Sequence, residues 1–589
     1  MENNLTPTRW SLDDLLQEPI EQSLESSLSE LEALTAAFEA ERGRLNDELD
    51  QPGFIELLSR FEQILRQAYC LGGYAQLAFL ADTKNQAALN LRDRVDQVLT
   101  NIDNRTLFFT LWIKGWTDNM AARLTPESGD YRHYVKTLLK MKPYTLGEAE
   151  EQIINLKDSN GIDAMVYLYE MMTSSYTFSV EVDGEQKTLT RDQLAALYRH
   201  PSADVRASAY QELYRVYEEH SPVLAQIYNH RVRDWHAEGL TLRKFPSPIA
   251  PRNLGNDIPD EAVETLLDVC AANNDLFQRY FKLKASWLGI EQLRRYDIYA
   301  PLVAANKAYT YAQAYEMVMD SLIAFSPDVA GKAQRVFAEN HIDSEVRPGK
   351  RGGAFCYSVV PNLTPWVLVN FAGRARDVAT LAHELGHAIH SMLAAGHSHL
   401  TFQPSLPLAE TASVFSEMLL TERLLAQETD PTVRKDLLAY AIDDAYATVQ
   451  RQAYITIFER EAHQRIMAGA TVNELCAHYM ENLHAQFGDA VALSDEFKWE
   501  WISIPHIYGS PFYTYAYSFG QLLVLSLYQQ YRREGENFIP RYLKLLSIGG
   551  SAEPAKVLNE AGFDITSPDF WQGGYDVLRG MVDELETLG

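Results

Sequence analysis

His383-Glu384-Leu385-Gly386-His387 is an H-E-x-x-H stretch, and its spacing has a direct chemical reading. Residues four apart share one face of a helix, so both imidazoles can meet a single metal ion. Glu384, one position past the first histidine, is displaced sideways, where its carboxylate reaches a water at the metal without ligating the metal. That division of labour between ligands and base is what metal-assisted hydrolysis requires. Three fixed positions also recur by chance in unrelated chains, so the surroundings decide. Val378, Leu381, Leu385, Ile389 and Met392 follow at spacings of three and four, which predicts an amphipathic helix with Asp377 as its cap and Gly396 as its stop. Two histidines and a glutamate beside an apolar stripe are costly to bury without partners.

A catalytic zinc keeps three protein ligands and an open position. Glu410 is the expected third ligand. It opens the run Ala409-Glu410-Thr411-Ala412-Ser413-Val414-Phe415-Ser416-Glu417, which follows Pro404 and Pro407 and reads as a second helix through Leu424. Glu410 and Glu417, seven apart, would share a face, one on the metal and the other holding a histidine N–H from behind; a solvent-facing Glu417 is the competing reading. His390, His397 and His399 are the rival ligands. The longer H-E-x-x-H-x-x-G-x-x-H pattern fails, because His390 and Leu393 stand where it needs glycine and histidine.

The second chemical centre is the tyrosine-rich segment from His506 to Tyr517. Pro511 suits the first turn of a helix, from which Tyr513 and Tyr517 would stack at i and i+4, with Tyr515 on another face and Tyr508 in the preceding loop. Peptide hydrolysis passes through a tetrahedral oxyanion, and phenols or an imidazole N–H can supply donors to it; aromatic core packing is the alternative for each tyrosine. Upstream of the metal helix, 354–360 and 365–371 read as two strands joined by Pro361-Asn362-Leu363-Thr364. An exposed edge there would hold an extended peptide by main-chain hydrogen bonds, with Gly352 and Gly353 allowing close approach; a plain structural hairpin is the alternative.

Together these residues resemble the oligoendopeptidase F branch of the thimet oligopeptidase-like zinc metallopeptidases. The resemblance runs through Arg252-Asn253 and Ile258-Pro259, Asp297 with Ala300-Pro301-Leu302, and Gly349-Lys350-Arg351-Gly352-Gly353-Ala354-Phe355-Cys356. It continues through Asn370-Phe371, Arg376-Asp377, the H-E-x-x-H stretch, Glu410-Thr411-Ala412-Ser413, Glu417, His506-Ile507-Tyr508 and Pro511-Phe512-Tyr513. It implies a mainly α, two-lobed helical zincin-type metallopeptidase with a small β-sheet beside the active site and a deep substrate channel. It also implies one zinc on His383, His387 and Glu410, with Glu384 as base and Glu417 behind a ligand. His506 with Tyr513 and Tyr517 would then be catalytic donors, and Gly352, Gly353, Ala354, Phe355, Tyr508 and Tyr515 would bind substrate. The expected substrates are unstructured oligopeptides, cut at internal bonds.

Around this chemistry, the chain of 589 residues with 46% apolar content can bury a large core. Its pattern divides it into an N-terminal helical lobe over 1–140, a helical segment with a β-hairpin over 141–204, and a catalytic domain over 205–589. Helical patterning opens at Ser11-Leu12-Asp13-Asp14, with breaks near Pro52-Gly53 and Asp103-Asn104. The hairpin is marked by Asp183-Gly184 between two β-rich runs. A long connecting loop is expected over 246–259.

A net charge of −28 argues against nucleic acid or an anionic membrane as partner and favours neutral or basic peptides. Cys70, Cys270, Cys356 and Cys476 are scattered, which favours a reducing cytoplasm. The stretch from Met1 to Trp10 lacks the apolar core of a secretory peptide. Cys356 adjoins the expected substrate strand, so it reads either as an oxidation-sensitive thiol or as an inert buried one. Two other functions compete. A peptide-binding protein without chemistry would have no need of Glu384, and a metallocarboxypeptidase would need a cation such as Arg351 for the substrate's terminal carboxylate.

Overall fold

The computed structural model describes residues 5–127, 129–302 and 308–588. The first four residues of the N-terminal stretch therefore lie outside the described residues. The chain divides into two units, each assembled from separate stretches.

The first unit comprises Met1–Pro143, Lys307–Ala426 and Gln530–Phe563. Its N-terminal part is a helical bundle of Ile20–Ala40, Gln51–Ala81 and Gln86–Lys114. Aromatic residues at helical spacing meet in its core: Phe38 lies 5.8 Å from Phe61 and 5.2 Å from Phe109, and all three are buried. Asp50 accepts the Gly53 N–H to cap the second helix, and Asn85 accepts from Ala87 and Ala88 to cap the third. Helix starts at Ile20 rather than Ser11, and Asp103-Asn104 lies inside an unbroken helix, where the buried Ile102, Thr106 and Phe109 carry the apolar face through the polar pair.

Residues 8–11 do something else. Ser344 N–H donates to the Thr8 carbonyl at 2.8 Å, Thr8 Oγ1 to the Ile342 carbonyl at 3.1 Å, and Ser11 N–H to the Asn340 carbonyl at 2.8 Å. The segment thus borders a three-stranded sheet in the order Ile342–Asp343, Trp366–Leu368, Phe355–Tyr357. The first pair is parallel and the second antiparallel, with Cys356 opposite Val367. The two strands expected over 354–360 and 365–371 are trimmed to three residues each. Phe355–Tyr357 is the sheet's other margin and pairs on one side only among the described residues.

The second unit comprises Tyr144–Asn306, Gln427–Gln529 and Asp564–Gly589. Its spine is the helix Ala203–Trp235, which continues through Pro222 and buries Tyr210, Tyr214, Tyr217 and Tyr228. The hairpin Phe178–Val182 with Glu185–Leu189 forms as expected, with Asp183 at φ 56° and Gly184 at φ 80° in the turn. The expected loop at 246–259 contains a short helix, Ala250–Gly255. Three buried ion pairs brace this unit: Arg206 with Asp297, Arg295 with Glu500, and Lys284 with Asp443, each at 2.8 Å. Among the described residues no helix is long and apolar enough to cross a membrane.

Candidate metal centre

The motif lies on the helix Ala375–Leu393 of the first unit. Asp377 starts this helix from its first turn rather than as the cap itself: its carboxylate accepts the N–H groups of Ala372 and Arg374, at 2.9 and 3.0 Å. The helix ends at Leu393, before Gly396.

Glu410 arrives differently from the expected mid-helix placement. It ends the short helix Leu406–Ala409, and the next helix begins only at Ser413. Two contacts shape this break. A Cβ on Gly386 would lie 2.5 Å from the Ala412 carbonyl oxygen and 2.5 Å from Ser413 Cα, so the break packs directly onto the motif helix at its glycine. Tyr542 OH donates to the Thr411 carbonyl at 2.9 Å. Neither partner was expected from the sequence; a glycine inside a strong helical pattern was the available signal.

The result is a triangle of ligand atoms. His383 Nε2 and His387 Nε2 are 3.2 Å apart, and Glu410 Oε2 lies 3.3 and 3.4 Å from them. Tetrahedral zinc with bonds of ~2.0–2.1 Å places its ligand atoms roughly 3.3–3.4 Å apart. The three donors therefore fit one face of such a site. Ser413 Oγ donates to Glu410 Oε2 at 2.7 Å, and His383 Nδ1 donates to Glu417 Oε1 at 2.5 Å, leaving Nε2 to the triangle. The rival histidines are elsewhere: His397 meets Asp130 and the Ser547 carbonyl, His399 packs on Tyr69 and Phe402, and His390 is buried outside the triangle.

Electrostatics agree with this division of roles. Burial raises the Glu384 carboxyl to about 7, with Glu410 and Glu417 adding to the rise against the pull of His383. Burial lowers His387 to about 4, keeping it a neutral donor. His383 is lowered by burial but raised more by Glu417, Glu410 and Glu384, to about 9. Positive charge at its Nε2, a proton or a metal ion, is thus favoured. Cys356, whose thiol burial pushes well up and Glu384 pushes further, places the edge strand beside the motif helix and fits the inert reading.

Gly352 and Gly353 are exposed, Gly353 at φ 77°, and Ala354 and Phe355 are half-buried. Their loop is anchored: Lys350 Nζ donates to the carbonyls of Asp343, Glu345 and Val369, and Asn370 Nδ2 to those of Arg351 and Gly353.

The second unit holds the tyrosine segment. His506 sits on the short helix Pro505–Gly509, and the next helix starts at Tyr515, so Tyr513 lies in the intervening turn instead of on the helix. His506 stacks on Tyr513 with ring centroids 5.7 Å apart, and its Nε2 is 3.4 Å from Tyr517 OH. All three are half-buried. Burial, with Arg451 nearby, lowers the His506 pKa. Tyr508 and Tyr515 are fully buried: Tyr508 stacks on Tyr169 at 3.8 Å, and Tyr515 OH accepts from Asn256 at 2.8 Å. Their placement in the core leaves them no surface for a substrate.

Comparison with known proteins decides the lineage. Residues 196–577 match Peptidase family M3, and residues 118–178 match the region described as Oligopeptidase F. The chain belongs to peptidase family M3. As a member of family M3 it is a metalloendopeptidase with a mainly helical, zincin-type fold. Oligopeptidase PepF of Bacillus subtilis is 26% identical, over 98% of this chain and 87% of its own. A crystal structure from Chlamydophila abortus superposes with a TM-score of 0.88 at 22% identity, over 99% of this chain and 98% of that one. Oligoendopeptidase-F from Enterococcus faecium gives 0.71 at 22% identity, over 96% and 99%.

Proposed function

We propose that this family M3 member is a cytoplasmic, zinc-dependent endopeptidase that hydrolyses internal bonds of unstructured oligopeptides. The observation that carries this reading is the triangle of His383, His387 and Glu410 beside the buried Glu384 carboxylate. The three donors hold the metal, and Glu417 orients His383. Zinc, when bound, supplies a Lewis acid that polarises the scissile carbonyl and acidifies water. Glu384 accepts the proton of the attacking water and returns it to the leaving amine. His506 and Tyr517, with Tyr513 stacked on the imidazole, are the hydrogen-bond donors that the family resemblance implies for the reaction.

Substrate backbone pairs with the free margin of Phe355–Tyr357, and Gly352, Gly353, Ala354 and Phe355 line its path. Main-chain pairing accepts many side chains but only an extended peptide, which restricts the substrate to unfolded segments. Arg351, exposed and 5.5 Å from the Phe355 ring centroid, favours one alternative, a carboxypeptidase that grips a terminal carboxylate.

An internally quenched peptide blocked at both ends separates the two, with casein and a folded protein as companion substrates. Cleavage of the blocked peptide, dependent on zinc and absent from the folded protein, is expected. Comparable rates on the folded protein would defeat the restriction to extended chains, and cleavage only of peptides with a free C-terminus would select the carboxypeptidase.

A further inference from the structure

The turn between His506 and Tyr517 is built on an unusual backbone. Phe512 sits at φ 58°, in the left-handed region that disfavours a bulky side chain. Its N–H donates to Glu459 Oε2 at 2.9 Å. Glu459 comes from the helix Arg451–Met467 and is fully buried. Its second oxygen has no hydrogen-bond partner among the described residues, and neither ring nitrogen of His463, 3.8 Å away, has one either. A buried carboxyl serving one backbone N–H is a costly arrangement for stability alone. Burial raises this carboxyl to about 8, against the Phe512 N–H, Arg252 and Arg231.

The neighbouring anchors grip other parts of the turn. Arg231 Nε donates to the Tyr508 carbonyl at 3.0 Å, Arg252 Nε to the Pro511 carbonyl at 3.1 Å, and the hydroxyls of Thr456 and Thr514 are 2.8 Å apart. None of them engages the left-handed residue itself.

We propose that Glu459 is a positioning residue: by accepting the Phe512 N–H it fixes the left-handed turn that sets His506 against Tyr513 and Tyr517. The proposal rests on the reading that His506 and Tyr517 serve the reaction. A misplacement of about 1 Å at such groups costs on the order of 100-fold in rate.

Glu459→Met fills the same volume without an acceptor and removes a buried ionisable group. It is expected to keep or raise the melting temperature and the zinc content, and to lower kcat by about 10-fold or more with little change in KM. Glu459→Gln, which retains an acceptor oxygen, restores kcat. In a background that carries both His506→Ala and Tyr517→Phe, Glu459→Met lowers kcat no further, since the contributions it would disturb are already removed. Losses that multiply in that combined variant, or a Glu459→Met enzyme with wild-type kcat, overturn the proposal. If His506→Ala alone leaves kcat unchanged, the reading of His506 fails instead, and the two failures are distinguishable.

Discussion

Replacing Gly386 by alanine sets two physical effects in opposition. In a helix interior alanine is favoured over glycine by about 1 kcal/mol, so propensity alone expects Gly386→Ala to stabilise the protein. The new Cβ would however stand 2.5 Å from both the Ala412 oxygen and Ser413 Cα, which are backbone atoms that cannot rotate away. Ordinary contact begins near 3.4 Å, so the motif helix and the Glu410–Ser413 break must part by about 0.9 Å. Overpacking of this kind costs roughly 1–3 kcal/mol, enough to cancel or reverse the propensity gain.

The larger effect falls on the metal. Glu410 Oε2 moves with the break, whereas His383 and His387 move with the helix. The edges of 3.3 and 3.4 Å would open by several tenths of an ångström, beyond the ~0.2 Å tolerance of a metal site. Zinc affinity is expected to fall about 10–100-fold, the range seen when ligand support is disturbed. Competition with a chromophoric chelator measures it, and thermal unfolding of the zinc-free protein measures the packing cost separately. Wild-type zinc affinity in Gly386→Ala, with a raised melting temperature, would refute the argument that this glycine sets the ligand geometry.

Four further outcomes follow from the same geometry. Glu384→Gln should retain zinc by elemental analysis yet lose activity by about 100- to 10,000-fold, the contribution of a general base. Glu410→Gln should weaken zinc, and full occupancy with Glu417 or His390 found as ligand would contradict the assignment. His506→Ala and Tyr517→Phe should each lower kcat by the equivalent of about 2.7–4 kcal/mol with modest change in KM; a change in KM alone would assign them to binding. Glu459 is raised from its ordinary 4.5 to about 8, so the folded state holds this proton more tightly than the unfolded chain. Its contribution is full below 4.5 and declines as pH rises towards 8, and Glu459→Gln should flatten that part of the profile in denaturant titrations at several pH values.

The motif helix was legible because its ligands and its apolar stripe share one period, and the hairpin because Asp183-Gly184 permits one turn type. The break at Glu410 was not legible. Ala409-Glu410-Thr411-Ala412-Ser413 contains neither proline nor glycine, and what interrupts the helix is a contact with Gly386 and Tyr542, distant in sequence. The left-handed Phe512 was hidden for the same reason: its stabilising partner, Glu459, lies more than 50 residues away. The tyrosines were separable only by burial, since identical side chains at 508, 513, 515 and 517 divide into two in the core and two half-exposed beside His506. Local spacing identifies which groups can do chemistry, and long-range packing decides which of them are free to do it.

The segment from Thr8 to Ser11 carries a consequence for how the sheet stays monogamous. By occupying the Ile342–Asp343 margin, the stretch from Thr8 to Ser11 closes that side of the sheet, so under the proposed mode of substrate binding the Phe355–Tyr357 margin is the one left to an extended guest among the described residues of this sheet. A protein trimmed past Ser11 would present two adhesive borders instead of one. Peptides would then be sequestered on the border away from Glu384 without being cut, and neighbouring molecules could zip together through the same face. If substrate pairs with the other margin as proposed, the tether then also guards against unproductive capture.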